Sequence, residues 1–473
     1  LRTGLGILTG LAVLALSIAA ATNLNAATLV AGLVVLVLAV SLFAISRRDT
    51  ATVLTLAVVL LYLLPQPYVL VGPLRSVGNP AQLAGMVALA LWCAGRIMGT
   101  VQARPLHPIR WMIMLYAITS LTAYAAGMNR ILSVTEQAGA ARTLFPTLAM
   151  IGIAILAVDG LRGTDQIQTL LQRLVWVAGI ASFAGILEFA VKSFSYRDMM
   201  RLPGLTTTTD LITDTRSGFD RIQVAAAHPI EYAVTLAAVA PLALHFAMYA
   251  STHRQRNLSR LALLCILAVN PMTVARSGIV ALAVGLGVYA VHLSNRARLN
   301  LISLGLIGIG VYQAAIPGLL GTLRSLLLVG EEDPSIAGRT DDYAKIPGFT
   351  AGYEVFGRGL GTFLPLEYFY LDNQYLASLL NGGVVGMFTL ILMYIIGFCV
   401  ARGVRHRSGE PNMRGLGQAL AAGIAALAVS AATFDELGFR QSAFTLFLLL
   451  GCAGALWSIV HDQPKRRWSG ELR

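Results

Sequence analysis

Apolar runs dominate the chain. Stretches of about 18–20 residues, long enough for a helix to cross a hydrocarbon layer of about 30 Å, recur from Gly4 nearly to His461. In lipid such a run must satisfy its own backbone hydrogen bonds and is therefore helical. The pattern predicts spans near residues 4–22, 26–46, 51–71, 81–95, 108–127, 142–158, 174–191, 228–250, 261–274, 277–293, 299–317, 376–400, 415–433 and 441–460. The expected fold is all-α, a polytopic helical membrane protein with about fourteen transmembrane helices. The first run follows only Leu1 and Arg2 and leads directly into the next, so it reads as a retained helix and not as a removable signal.

Composition agrees: 56% of residues are hydrophobic, only 12% are charged, and mean hydropathy is +0.71. A soluble domain carries about 25% charged residues. The net charge of +12 is dealt out over short connectors. These carry Arg47 and Arg48; Arg96, Arg104 and Arg110; Arg254, Arg256 and Arg260; Arg296 and Arg298; and Arg402, Arg405, Arg407 and Arg414. All fall on one side of the predicted topology, which the positive-inside rule makes cytoplasmic, along with both termini. The expected location is the inner (plasma) membrane. The basic residues form no single patch, which argues against nucleic acid as a partner. Cys93, Cys265, Cys399 and Cys452 all lie within predicted spans, so neither a disulfide framework nor a thiolate metal site is expected. There is no P-loop, no dinucleotide fingerprint and no His pair at i and i+4. The reading therefore includes no metal and no cofactor.

Two connectors on the opposite, extracytoplasmic side are much longer than a helix connection needs, roughly residues 192–227 and 318–375. They divide the chain into N-terminal spans (1–220), a central unit (221–400), and C-terminal spans with a basic tail (401–473). Both connectors mix Arg, Asp, Gly and aromatics, as a surface facing glycan or phosphate would. Several residues there are out of place in a membrane. Arg276 interrupts the apolar stretch Leu261–Leu293 at the outer boundary, where a charge needs a partner or water. Its plain alternative is an anchor that snorkels to the headgroups. Glu231 lies one turn into an apolar run; it is either functional or a first-turn acid favoured by the helix dipole. Asp372 and Asn373 stand at the mouth of a long span, where either would cap the helix. "ATFDELGFRQ", with Asp435, Glu436 and Arg440, reads as a plain helix–helix turn.

Three segments carry a resemblance. "GRTDDYAKIPGFTAGYEVFGRGLGTF" followed by "DNQYLASLLNGGVVGMF" resembles the signature region of the O-antigen ligase and polymerase family of bacterial membrane glycosyltransferases. "NPMTVARSGIVALAVGLGVYAV" resembles that family's Ser-Arg-Gly segment, with Ala275 in place of Ser, Arg276 kept and Ser277 in place of Gly. "RIQVAAAHPIEYAVTLAAVAPLAL" resembles the segment in which an Arg precedes a His-Pro pair opening a helix. The three occur in the family's order, over roughly residues 221–388. The resemblance implies a large extracytoplasmic loop closing over a lipid-facing cavity. It also implies a polyprenyl-diphosphate-linked glycan as substrate, and membrane lipid and other polysaccharide-assembly membrane proteins as partners.

Moving a sugar off a diphosphate requires charge stabilisation on the leaving phosphates and a base for the attacking hydroxyl. Arginine suits the first task through its planar, permanently charged fork, and needs no metal. The catalytic candidates are Asp372, Arg276, His228 and Glu231. The substrate-binding candidates are Arg221, Arg339, Asn373, Tyr375 and Tyr370. Local pairing is the alternative for Arg221, with Asp214 or Asp220, and for Arg339, with Asp341 and Asp342. Interfacial anchoring is the alternative for the tyrosines. Asp372 stands where the family commonly has His, which leaves deprotonation open between Asp372, His228 and Glu231. The same departure favours a polymerase over a ligase that transfers glycan to a lipid or protein acceptor. A lipid-glycan flippase or secondary transporter is the competing class; it would place charges near the midplane in broken helices.

Overall fold

The chain is described by a computed structural model covering residues 49–71, 78–99, 101, 107–207, 215–216, 219–316, 318, 321 and 334–462. For Thr215, Arg216, Phe219 and residues 334–341 the description is of backbone alone. In chain order the helices are α1 (Thr50–Leu63), α2 (Pro80–Ile97), α3 (Pro108–Met128), α4 (Val134–Gly160), α5 (Thr164–Ala190), the short α6 (Tyr196–Met199), α7 (Pro229–Tyr249), α8 (His253–Met272), α9 (Arg276–Ala290), α10 (Asn295–Ala315), α11 (Pro334–Thr350), α12 (Gln374–Arg407), α13 (Pro411–Ser430) and α14 (Arg440–Asp462). Among the described residues, nine of these are long and apolar enough to cross a membrane, and α1 and α9 are shorter apolar helices. Every span expected from residue 51 onward falls on a helix; those at 4–22 and 26–46 lie outside the described residues.

The boundaries differ where prolines and polar capping residues override hydropathy. The expected span 51–71 stops at Leu63, because Pro65 and Pro67 cannot continue a helix. Tyr68–Leu70 instead forms β1, paired antiparallel with β2 (Leu205–Thr207). Helix α4 begins eight residues before its expected span, at a capping box in which Ser133 and Glu136 satisfy each other's backbone N–H groups. Part of the expected 318–375 loop is helical, as α11.

One hydrophobic cluster runs from Ala51 to Val460 and crosses all three expected divisions of the chain. Small residues let the helices approach closely, as membrane packing requires. A Cβ on Gly278 of α9 would lie 2.3 Å from Ala233 Cβ of α7. A second, smaller cluster gathers Ile346, Phe363, Phe369, Leu371, Ala377 and Leu380, and belongs to the connector before α12. Buried Arg110 is paired with Asp159, which also accepts from Trp92 Nε1 at 2.9 Å, tying α2, α3 and α4 together. The basic connectors share one end of the bundle: Arg405 reaches Gln418 Oε1 and the Val291 carbonyl, and Arg298 reaches the carbonyls of Ala290 and Val291.

Helix α12 is broken. Gly383 adopts φ 65° and ψ −166°, and the segment 354–359 supplies the hydrogen bonds the break removes. The N–H groups of Val384 and Val385 donate to the carbonyls of Glu354 and Val355, while Arg358 and Gly359 donate to the carbonyls of Leu380 and Asn381. Freed backbone groups within an apolar helix are tolerated only when they find partners in this way. A Cβ on Gly383 would meet the Val355 carbonyl at 2.3 Å, whereas one on the neighbouring Gly382 would meet nothing within 4 Å. Gly383→Ala should therefore cost about 1–3 kcal/mol and lower the thermal midpoint of the detergent-solubilised protein. Gly382→Ala should leave that midpoint in place.

Candidate functional site

Four helix N-termini meet at the end opposite the basic connectors: those of α7, α9, α12 and α14. Their contacts define the meeting point. Arg221 Nε donates to the Thr273 carbonyl at 3.2 Å, joining the segment before α7 to the turn before α9. Thr433 Oγ1 donates to Ser277 Oγ at 2.8 Å, joining the connector 431–439 to the first turn of α9. Gln374, at the start of α12, donates its N–H to the Ala431 carbonyl and accepts from Leu437 N–H at 2.6 Å. The His228 ring lies 5.8 Å from the Phe439 ring. Each N-terminus brings the positive end of a helix dipole, so the region favours anions.

The loop before α7 is held by charge on both sides of its backbone. Val224 has φ 47°, a strained value for a β-branched residue, and Val274 before α9 has φ 51°. Buried Arg197 donates to the carbonyls of Val224 (3.2 Å) and Ala226 (2.5 Å). Glu231, 0% exposed, accepts Ala227 N–H on one carboxylate oxygen and Gln441 N–H on the other, each at 2.6 Å. Glu188 receives the N–H groups of Val224 and Tyr196 and faces Arg197. Strain of this kind persists only where its surroundings over-determine it, as they do here.

These contacts sort the expected residues. Glu231 has both oxygens occupied by backbone and no exposure, so its place is architectural: it pins the start of α7 to the start of α14. His228 caps α7, its Nδ1 accepting Ile230 N–H at 3.1 Å, with the ring half-buried. Arg276 is the first residue of α9, half-buried, beside Ser277. Asn373, and not Asp372, is the N-cap of α12: its Oδ1 accepts Leu376 N–H at 3.2 Å and its Nδ2 donates to Tyr343 Oη. Capping is thus not the task of half-buried Asp372. Tyr375 departs from a sugar-binding role, since its hydroxyl donates to the Ala428 carbonyl at 2.6 Å and braces α12 on α13. Tyr370 is 66% exposed and accessible to a ligand. Arg339 falls in the first part of α11, 334–341, where only backbone is described.

The connector read as a plain turn supplies what sequence reasoning missed. Asp435 lies within electrostatic reach of Asp372; burial first, and the Asp372 carboxylate second, push its pKa up to about 6. Its carboxylate accepts Gly438 N–H. Glu436 is 0% exposed and is pushed up to about 8, chiefly by burial, with Ser430 Oγ at 3.4 Å. The available signal was two adjacent carboxylates in an apolar setting. A second polar cluster lies at the α3–α4 turn. Glu136 Oε1 accepts from Arg130 at 2.6 Å and from Tyr368 Oη at 3.0 Å, with Arg358 at 3.8 Å. The Arg358 guanidinium sits 5.3–5.6 Å from the ring centroids of Phe349, Tyr353 and Tyr368. This cluster fastens the connector before α12 to α3 and α4.

Comparison of the sequence with protein-family models and with curated proteins finds no match. The arrangement brings four helix N-termini, Arg221 and Arg276 into one region with the acidic residues Asp372, Asp435 and Glu436.

Two outcomes follow from the buried acids. Glu436 and Asp435 have raised folded-state pKa values, so the stability they contribute is fully present below the ordinary carboxylate range. It is lost as pH rises through about 6 for Asp435 and about 8 for Glu436. The thermal midpoint should fall across that window, and Glu436→Gln should flatten its upper part. Glu231→Gln turns an amide NH2 against a backbone N–H and should destabilise by about 1–3 kcal/mol, read in the same melt at constant pH.

Proposed function

We propose that this protein is a membrane glycosyltransferase that polymerises polyprenyl-diphosphate-linked oligosaccharides at the extracytoplasmic face of the inner membrane. One observation carries the reading: the three segments that resemble the O-antigen ligase and polymerase family meet at a single cluster of helix N-termini, with Arg221, Arg276, His228 and Asp372 around it. The basic connectors at the other end give the orientation. Polymerisation is preferred to ligation because Asp372 stands where ligases of that family more typically carry His.

In this reading Arg276 and the dipoles of α7, α9, α12 and α14 stabilise the leaving diphosphate, with Arg221 beside them. Asp372 accepts the proton of the attacking hydroxyl as the glycosyl–phosphate bond breaks and the electron pair leaves on the phosphate. His228, which caps α7 beside Phe439, lines the same region. Tyr370 offers an exposed ring to a sugar face. Phosphate charge is met by guanidinium groups, so no step calls for a metal.

The direct test is whether purified protein extends a polyprenyl-diphosphate glycan with no nucleotide sugar present. Arg276→Lys keeps the charge but loses the fork, and should lower turnover roughly a hundredfold, equivalent to about 3 kcal/mol. Asp372→Asn should fold normally, since Asn373 holds the cap, and make almost no product. Wild-type rates from both variants would move the reaction centre elsewhere. Turnover should survive exhaustive chelation with EDTA; loss that Mg²⁺ restores would overturn the arginine-only account of the diphosphate.

A further inference from the structure

The end of the bundle opposite the candidate site gathers positive charge around one backbone oxygen. Helix α9 closes at Val291, whose carbonyl accepts from two side chains: Arg298 Nη2 of α10 at 3.3 Å and Arg405 Nη2 of α12 at 3.2 Å. Two guanidinium groups are thereby held side by side. Arg402 stands three residues before Arg405 on α12, hence on the same face, with its guanidinium 5.7 Å from the Phe398 ring centroid. Arg414 comes from α13, whose first turn lies directly against His292: a Cβ on Gly415 would fall 2.9 Å from His292 Nε2. Arg405 Nη1 also donates to Gln418 Oε1 at 3.2 Å, one turn beyond Arg414 on α13. Among the described residues none of these four arginines pairs with a carboxylate. The ion pairs lie elsewhere, and Glu410, next to α13, is exposed and bonded to none of the four. A guanidinium has five N–H donors, so the contacts with carbonyl and amide oxygens leave donors over. Like charges brought together in this way repel, and an anion relieves the repulsion.

The neighbouring helix indicates what carries that anion. No residue of α10 is buried, and a Cβ on Gly305, Gly308 or Gly310 would meet nothing within 4 Å, so the helix stands off the bundle along its length. Leu299, Ile302, Leu306 and Ile307 are each 59–65% exposed. This helix is long and apolar enough to cross a membrane, and in a bilayer acyl chains cover such a surface. Arg298 lies in its first turn, at the level where those chains end in head groups. We propose that Arg298, Arg402, Arg405 and Arg414 bind the phosphate of an anionic phospholipid, in the leaflet that meets the basic connectors, with its acyl chains along α10. Planar guanidinium forks suit phosphate oxygens, and the apolar wall beside them suits a phosphate that arrives on a lipid. The bound lipid joins α10, which buries no residue of its own, to α12 and α13. The site lies far from the helix N-termini around Arg276 and does not depend on the glycosyl-transfer reading.

Native mass spectrometry of the detergent-solubilised full chain, titrated with phosphatidylglycerol or phosphatidylcholine, tests the proposal. The wild type should retain phosphatidylglycerol in preference. The side chains of Arg402 and Arg414 hydrogen-bond to no other part of the fold, so Arg402→Gln with Arg414→Gln removes charge without removing a brace. That double variant should bind phosphatidylglycerol about twenty-fivefold more weakly, about fivefold for each charge lost. If it folds poorly, Arg414→Gln alone, at an exposed position, should show the fivefold part. The control is Arg254→Gln with Arg260→Gln, which takes the same charge from exposed positions at the start of α8 and should leave binding unchanged. Equal retention of the two lipids by the wild type would overturn the proposal. So would equal loss in the two double variants, since the arginines would then act only through net charge. Inorganic phosphate, which has no acyl chains, should displace the lipid only weakly. If it displaces the lipid as well as unlabelled phosphatidylglycerol displaces a labelled one, the cluster is a site for soluble phosphate and the lipid assignment is overturned.

Discussion

The Glu231 carboxylate is the pin on which the candidate site turns. Its two oxygens hold Ala227 N–H and Gln441 N–H, and so fix the start of α7 against the start of α14 across more than two hundred residues of chain. Helix ends leave backbone N–H groups without partners, and inside an apolar bundle no water is on hand to satisfy them. A carboxylate that accepts from two helix starts meets that need and fixes their spacing together. The opposite charge completes the clamp: Arg197 takes the carbonyls of Val224 and Ala226, the same loop whose amides go to Glu188 and Glu231. The strained Val224 is the consequence, and it sets how His228 enters α7.

Much of the helical layout was legible in the sequence because lipid enforces a simple rule. A run of apolar residues long enough to cross becomes a helix, and among the described residues α2 to α5, α7, α10 and α12 to α14 all follow it. The failures are local and polar. Hydropathy carried the first described span through Pro65 to residue 71, although two prolines end the helix and leave three residues for a strand. It also read α12 as one run, because glycine is nearly neutral on a transfer scale, while the backbone of Gly383 turns into a conformation that side chains resist.

The candidate site was legible in part. Residue type identified Arg276, Asp372 and His228 as unusual, and the structure brings their segments together. Type alone did not separate neighbours: Asp372 and Asn373 are both good caps, and only the geometry gives the cap to Asn373. Glu231 and Tyr375 looked available because a sequence does not show which backbone groups lie opposite a side chain. Asp435 is hidden in the sequence for the converse reason. A short connector with two acids has the composition of a turn, and what holds it near Asp372 is Gln374, which carries no charge to mark it in the sequence.

The broken helix bears on the competing transporter class. Transporters place discontinuous helices at the bilayer midplane, where the freed backbone groups coordinate cargo. In α12 the residues after the break, 384–407, form a helix about 36 Å long at the usual rise, enough to cross the membrane unaided. The break therefore does not interrupt the length that a crossing requires. Its freed groups are also not available to cargo, because Val384 and Val385 donate to Glu354 and Val355 while Leu380 and Asn381 accept from Arg358 and Gly359. A discontinuity filled by the protein's own backbone does structural work: it lets the connector before α12 dock against the bundle. Asp372 then stands at the end of that docked segment, beside the connector that carries Asp435. That geometry gives the broken helix a structural account that needs no cargo.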